Sequence, residues 1–251
     1  MQISATKIDT YMTCPLKYRF RYVDQIEPDQ MSPNLAFGST FHRAAKFIHR
    51  KRMDGVHLTR DQMERAFKLD WTAAQTVPIK WNGKQPEELE QQGLDMLRVY
   101  LDAMEDVGTP IAVEAEVRVP LVNLATGEKM PDVELFGYID RITRDHEPVE
   151  LKTSGRSWSQ MMADQSLQMT LYCYAMALQN ERDEVSGRFE VIVKNKKPKF
   201  QCLDTVRDVR HFDQMYRTVE RVLEAVDAEI FYPVKGFLCP SCDYCSECFR
   251  W

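Results

Sequence analysis

Apolar residues near the N-terminus recur every three to four positions. Ile8, Tyr11, Met12, Leu16 and Tyr18 follow a capping Ser4 and predict a helix over residues 5–22, broken near Cys14 by Pro15. Residues 24–34, with two prolines and several acids, read as a loop. A second helix is expected from Phe37 to about Met53, ending at Gly55. A third runs from Thr59 to Gln75 with Met63, Ala66, Phe67 and Trp71 inside. After a loop at 76–85, Pro86 to Val107 predicts a fourth, with proline in the first turn and Leu89, Leu94, Leu97, Tyr100, Leu101 and Met104 as its stripe. Gly108-Thr109-Pro110 stops it.

The period then changes to two. Val113, Ala115, Val117 and Val119 alternate with Glu114, Glu116 and Arg118, the mark of a half-buried strand. After a turn at Thr126-Gly127-Glu128, Val133 to Thr143 and Val149 to Thr153 predict two more strands joined by a turn at 144–148. Ser157 to Arg182 predicts one long helix, Phe189 to Val193 a strand, Phe200 to Leu203 its hairpin partner, and Thr205 to Ile230 a last helix. The tail from Tyr232 is rich in Pro, Gly and Cys and has no period. This order predicts an α/β (α+β) fold with an N-terminal helical region over 1–110, a core over 111–230 and a Cys-rich tail over 231–251. There is no internal repeat and no Walker-type phosphate loop, so a motor working beside this protein would be another chain.

The 251 residues suffice for an apolar core without a disulfide scaffold. An apolar share of 44% excludes a wholly disordered chain. The net charge of −5 argues against a protein that coats nucleic acid by bulk charge, but not against an enzyme with a local basic channel. No run approaches the ~18 apolar residues of a membrane span. The first eight residues lack the apolar run of a secretion signal, so an intracellular, reducing, cytoplasmic setting is expected. There, clustered cysteines bind metal more often than they form disulfides.

Candidate chemistry begins with Asp140, which shares a strand face with Tyr138 and Ile142, an unusual place for a charge. Glu150 and Lys152 share a face on the next strand, and Val149 and Leu151 face the other way. A hairpin closed at 144–148 would set Asp140 across from Glu150 and Lys152. Two carboxylates suit a hard cation such as Mg2+ or Mn2+, and a neighbouring lysine suits charge developing on a phosphoryl oxygen. On spacing alone, an ordinary cross-strand ion pair worth ~0.2–1 kcal/mol has an equal claim. Gln168 and Tyr172 lie on one helix face, and His42 near the start of the second helix.

The series Gly38-x-x-x-His42, Gly137-Tyr138-Ile139-Asp140-Arg141-Ile142, Glu150-Leu151-Lys152-Thr153 and Gln168-x-x-x-Tyr172 resembles the motifs of RecB-type PD-(D/E)XK nucleases, in the same order. The resemblance implies a restriction-endonuclease-like core with a mixed central sheet flanked by helices. It implies His42, Asp140, Glu150 and the Leu151 carbonyl as metal ligands, Lys152 as the catalytic lysine, and Gln168 and Tyr172 as accessory catalytic residues. The usual Pro-Asp is Ile139-Asp140 here.

Cys239, Cys242, Cys245 and Cys248 give three consecutive C-x-x-C spacings. Four thiolates hold either zinc or an iron–sulfur cluster, and by spacing alone zinc is the default. The stretch Cys239-x-x-Cys242-Asp243-Tyr244-x-x-x-Cys248 is similar to the tail of the iron–sulfur RecB-like nucleases, among them AddB and the CRISPR-associated exonucleases of the fourth Cas type. Tyr11-x-x-Cys14-Pro15-x-x-Tyr18 fits the lone N-terminal cysteine of that group. The resemblance implies a 4Fe-4S cluster on Cys14, Cys239, Cys242 and Cys248. Cys245 departs from the pattern and keeps open a zinc site on the four tail cysteines without Cys14; Cys173 and Cys202 read as core residues.

Arg43, Lys46 and Arg50 crowd the helix of His42, Lys194, Lys196, Lys197 and Lys199 form the densest basic run, and Lys17, Arg19 and Arg21 flank Cys14. Each run alone reads as a solvated face; together they suit a phosphate-tracking groove. Tyr18, Phe20, Trp158 and Tyr172 are candidates to stack on bases, though core positions explain most of them. The function expected from the resemblance is a metal-dependent exonuclease on single-stranded DNA or DNA ends, leaving 5′-phosphates and 3′-hydroxyls. It would serve CRISPR adaptation or phage and bacterial recombination and repair, beside a separate helicase, recombinase or adaptation protein. The other expectation is a non-catalytic iron–sulfur or zinc subunit that binds DNA ends or acts as a scaffold.

Overall fold

Ser4 accepts a hydrogen bond from the Lys7 amide and starts the first helix. In this computed structural model every residue except Asp29 and Leu238 is described. The elements are β1 (Gln2–Ile3), α1 (Ala5–Thr13), α2 (Pro15–Tyr18) with a π-helical turn at Arg19–Val23, α3 (Pro33–Met53), α4 (Arg60–Ala74) and α5 (Pro86–Ala103). β2 (Ala112–Val122), β3 (Lys129–Ile142), β4 (Pro148–Ser154), α6 (Gln160–Asp164), α7 (Leu167–Asn180), β5 (Glu184–Val193) and β6 (Lys199–Asp208) follow. α8 (Val209–Asp227), a 3-10 turn at Cys239–Ser241 and α9 (Cys245–Arg250) complete the chain.

The expected mixed α/β architecture is present. Six strands form one mixed sheet in the order β1-β3-β4-β5-β6, with β2 also paired to β3. β1 is parallel to β3 through Gln2↔Glu134 and Ile3↔Leu135. β4 runs antiparallel to β3 through Arg141↔Val149 and parallel to β5 from Val149↔Arg188 to Ser154↔Val193. A parallel neighbour needs a long crossover, and α6 and α7 supply it. Residues 148–151 of β4 are all buried, as befits a central strand covered on both faces.

Two compact units form from discontinuous segments: Met1–Asp29, Val117–Gly137 and Asp208–Trp251 in the first, Gln30–Glu116 and Tyr138–Arg207 in the second. In the second unit Phe37 and Phe41 of α3, Phe67 and Trp71 of α4, and Leu97 and Tyr100 of α5 pack into one core with Leu151 and Ile192. Gly93 marks the closest approach: a Cβ there would stand 2.1 Å from Phe67 Cζ. In the first unit Leu16, Phe20 and Tyr244 form a small core against Cys14, Cys242 and Cys248. No helix among the described residues is long and apolar enough to cross a membrane.

Several boundaries differ from the sequence reading. The helix expected over 157–182 is two, because Ser166 interrupts it and caps α7 by accepting from the Met169 amide. β5 begins at Glu184, and β6 continues to Asp208, which caps α8 through the amides of Arg210 and His211. α3 starts at Pro33, capped by Ser32. The tail holds the 3-10 turn and α9 instead of irregular chain throughout. Cys202 is not a core residue: it lies exposed on β6, whereas Cys173 on α7 is fully buried.

Candidate active site

The hairpin register carries Asp140, one residue before the Arg141↔Val149 pair, to the level of Glu150. The Leu151 amide donates to Asp140 Oδ2 at 2.8 Å, which locks the carboxylate against β4. Asp140 Oδ1 lies 3.1 Å from His42 Nδ1 on α3. At Gly38, one turn before His42, a Cβ would stand 3.6 Å from Thr153 Oγ1, so α3 runs close over β4. Lys152 Nζ donates to Glu150 Oε1 at 2.7 Å and to Gln168 Oε1 at 2.6 Å. Gln168 Nε2 donates to Glu150 Oε1 and to the Tyr172 hydroxyl, both at 2.9 Å, and Tyr172 donates to the Tyr138 carbonyl at 2.5 Å. The seven residues named for the site therefore fall in two adjoining hydrogen-bonded groups, His42 with Asp140 and Leu151, and Glu150 with Lys152, Gln168 and Tyr172.

Burial sets its electrostatics. Glu150 is 4% exposed, and its Oε2 has no hydrogen-bond partner among the described residues. Burial pushes its carboxyl up to about 7, against the pull of Lys152 and with the repulsion of Asp140. Burial also acts to raise Asp140, but the hydrogen bond and charge of His42 and the Leu151 amide outweigh it and hold this carboxyl below its ordinary range. His42 is raised: burial works against its charge, and the hydrogen bond and charge of Asp140 overcome that. Among the described residues no three His, Cys, Asp or Glu side chains converge tightly enough to hold a single ion. The carboxylates are instead neutralised in part by His42 and Lys152.

A divalent cation nevertheless fits this donor set. Glu150 Oε2 is an orphaned buried carboxylate oxygen, as is Glu190 Oε2, but it stands beside the second carboxylate of Asp140. Hard cations take such oxygens, with a neutral imidazole as a further ligand.

A cavity of about 340 Å3 opens beside the site, lined among others by His42, Arg43, Lys46 and Asp140. Arg43 lies 3.7 Å from Asp70, and Lys46 is paired with Glu114. Arg50 is exposed. Lys196 and Lys197 are exposed on the β5–β6 connection and Lys199 at the start of β6, while Lys194 is half-buried with Nζ 4.9 Å over the Phe37 ring. Of the stacking candidates Tyr18, Phe20 and Tyr172 are buried, and Trp158 packs 5.0 Å from Phe189.

The sequence reading missed the groups behind β4. Arg141 donates to Glu190 in a buried ion pair, and His49 Nε2 meets the Tyr100 hydroxyl at 2.7 Å. Burial, with Arg141 and Arg52 nearby, pushes His49 down to about 3, so it is neutral. One signal was present: Glu190 is a lone charge inside the apolar run Phe189-Glu190-Val191-Ile192-Val193.

In the first unit, a cavity of about 480 Å3 is lined by Cys14, Cys239, Cys242, Cys245 and Cys248. Cys14 comes from the junction of α1 and α2, and the other four from the tail. The tail is fastened there by the Tyr244 hydroxyl donating to the Ile26 carbonyl at 3.0 Å, and by the Leu16 amide donating to the Tyr232 carbonyl at 3.1 Å. The Val234 amide donates to Cys14 Sγ at 3.5 Å and the Gly236 amide to Cys239 Sγ at 3.3 Å. Sulfurs aimed at one cavity and met by backbone amides are a donor set that fits a metal–sulfur centre.

Comparison with known proteins agrees on the family. The model of the PD-(D/E)XK nuclease superfamily matches residues 2–249. The fold is similar to that of a candidate exonuclease from Eubacterium rectale, with a TM-score of 0.55 at 12% identity over 98% of this chain and 87% of that one. A second structure, of the protein SSO0001, gives a TM-score of 0.39 at 11% identity over 98% and 85%, too distant in shape to argue from. No curated protein matches the sequence.

Proposed function

We propose that this chain, a member of the PD-(D/E)XK nuclease superfamily, is a metal-dependent deoxyribonuclease that removes nucleotides from single-stranded DNA or DNA ends. The observation that carries the reading is the buried, unpartnered Glu150 Oε2 beside Asp140, with Lys152 held at 2.7 Å from the same carboxylate.

Asp140, Glu150 and His42, with the Leu151 carbonyl, would hold Mg2+ or Mn2+. When bound, such an ion supplies Lewis-acid stabilisation of charge on phosphoryl oxygens and makes water more acidic. The protein's own part is positional. Lys152 keeps a positive charge beside the carboxylates, where negative charge grows on the scissile phosphate. Gln168 receives one of its hydrogen bonds and is steadied in turn by Tyr172, which holds the ammonium toward Glu150. The Leu151 amide fixes Asp140 in the same way. Arg43 and Lys46, at the cavity, would meet flanking phosphates in exchange for Asp70 and Glu114. The half-buried Lys194 and the exposed Lys196, Lys197 and Lys199 would extend that contact along the strand.

The cysteine cavity supports a 4Fe-4S cluster on Cys14, Cys239, Cys242 and Cys248. All five cysteines line the one cavity of about 480 Å3, which has room for such a cluster. The cluster would join the N-terminal segment to the tail and act as a fastening, not a catalyst. The setting would be CRISPR adaptation or recombination and repair, with strand separation supplied by another protein.

Single-stranded DNA labelled at either end, incubated with purified protein and Mn2+, tests the reading. Wild type should shorten it, and Lys152→Ala should do so ~10²–10³-fold more slowly while still binding it. No shortening by wild type, or equal rates, would overturn the enzyme and leave a DNA-end-binding subunit.

A further inference from the structure

The cavity in the first unit presents more sulfur than a four-ligand centre uses. Cys14, Cys239, Cys242, Cys245 and Cys248 all line it. The tail cysteines succeed one another at a constant three-residue spacing, so one residue type recurs at equivalent steps around the cavity. Cys245 opens α9 and Cys248 lies one turn further along the same helix face. The Cys242 amide donates to the Cys239 carbonyl at 3.1 Å and the Cys245 amide to the Cys242 carbonyl at 3.3 Å. The chain thus winds as two successive tight turns, each delivering a cysteine. Moving ligation from Cys242 or Cys248 to Cys245 requires a shift of one turn in the half-buried segment 239–248 about the buried Tyr244, not a refolding of the tail.

We infer that Cys245 is a reserve ligand: it stays outside the centre in the intact protein and replaces Cys242 or Cys248 when either is lost. The proposal rests on the iron–sulfur reading above. The exchange moves no electrons. The Cys245 thiol releases its proton to solvent, and its sulfur forms the bond to iron that the missing thiolate leaves open. Cys173 cannot serve, being buried in α7, and Cys202 lies exposed on β6.

The test is alkylation of the anaerobically purified, metal-loaded protein with iodoacetamide, with each cysteine read by peptide mass mapping and iron measured in the same sample. In wild type Cys245 and the exposed Cys202 should be modified while Cys14, Cys239, Cys242 and Cys248 are protected. In Cys242→Ser, and separately in Cys248→Ser, most of the iron should remain and Cys245 should become protected, with Cys202 still modified as the internal control. Cys242→Ser/Cys245→Ser should hold less than a tenth of the wild-type iron, and Cys245→Ser alone the full amount. Protection of Cys245 in wild type, loss of iron from Cys245→Ser, or continued modification of Cys245 in both single variants would overturn the proposal. Zinc without iron in wild type overturns the cluster reading itself and is distinguishable, because it appears before any variant is made.

Discussion

Replacing Glu150 by Gln should abolish nuclease activity and yet stabilise the cation-free protein at neutral and alkaline pH. Glu150 is 4% exposed and is raised from 4.5 to about 7 by burial, net of the attraction of Lys152. A carboxyl whose folded pKa lies above its unfolded value binds more protons when folded. Stability therefore falls as pH rises through the window from 4.5 to about 7, then levels off. At ~1.4 kcal/mol per unit, the full window amounts to about 3 kcal/mol.

Glutamine reproduces the protonated acid and does not titrate. Its Oε1 can still accept from Lys152 and Gln168, and its amino group takes the place of an oxygen that had no partner. Any cost of that amino group is the same at every pH, so the informative quantity is the change in the gap between the two proteins. Urea unfolding in the presence of a chelator, at several values from pH 5 to pH 8, measures it. The gap should move toward the variant by about 2–3 kcal/mol, a midpoint shift of roughly 1 M for ordinary urea slopes. Mn2+ should then raise the wild-type midpoint and not the variant's, since an ion that binds only the folded state stabilises it. A gap that stays constant across this range would refute the argument that Glu150 is a buried charge awaiting a cation.

Gly93→Ala should cost about 1–3 kcal/mol by thermal or urea unfolding, because its Cβ would meet the Phe67 ring at 2.1 Å inside the α4–α5 contact. Cys14→Ala should lose iron and solubility while Cys173→Ala keeps both, as elemental analysis and soluble yield would show; the proposed cluster closes a loop of about 225 residues. Tyr172→Phe removes the hydroxyl that accepts from Gln168 and donates to the Tyr138 carbonyl. It should lower kcat roughly tenfold, with little change in DNA binding, if the loosened Lys152 costs about 1–1.5 kcal/mol of transition-state stabilisation.

The site residues were legible because local rules place them. A period of two fixes which residues share a face of β3 and β4, and a turn at 144–148 fixes the hairpin, so Asp140 and Glu150 follow from spacing. The cysteines were legible as a metal-binding pattern for the same reason. Ser166 was not: a serine on a long polar–apolar pattern reads equally as an exposed helical position or as the cap it proves to be. The partners of Arg141 were also hidden, since Glu190 lies 49 residues away and reaches it only because β5 pairs with β4. That same pairing gives the buried carboxylates of β4 and β5 different company. Asp140 and Arg141 are consecutive and face opposite ways, and Leu151↔Glu190 is the register step after Glu150↔Phe189. Behind β4, Glu190 meets the Arg141 guanidinium, though its Oε2, like that of Glu150, has no hydrogen-bond partner among the described residues. In front, two carboxylates share Lys152 and an imidazole that must take up a proton to help, and Glu150 Oε2 is left bare. A metal ion between Asp140 and Glu150 would relieve the repulsion of the two carboxylates, and it would release His42 to act as a neutral ligand.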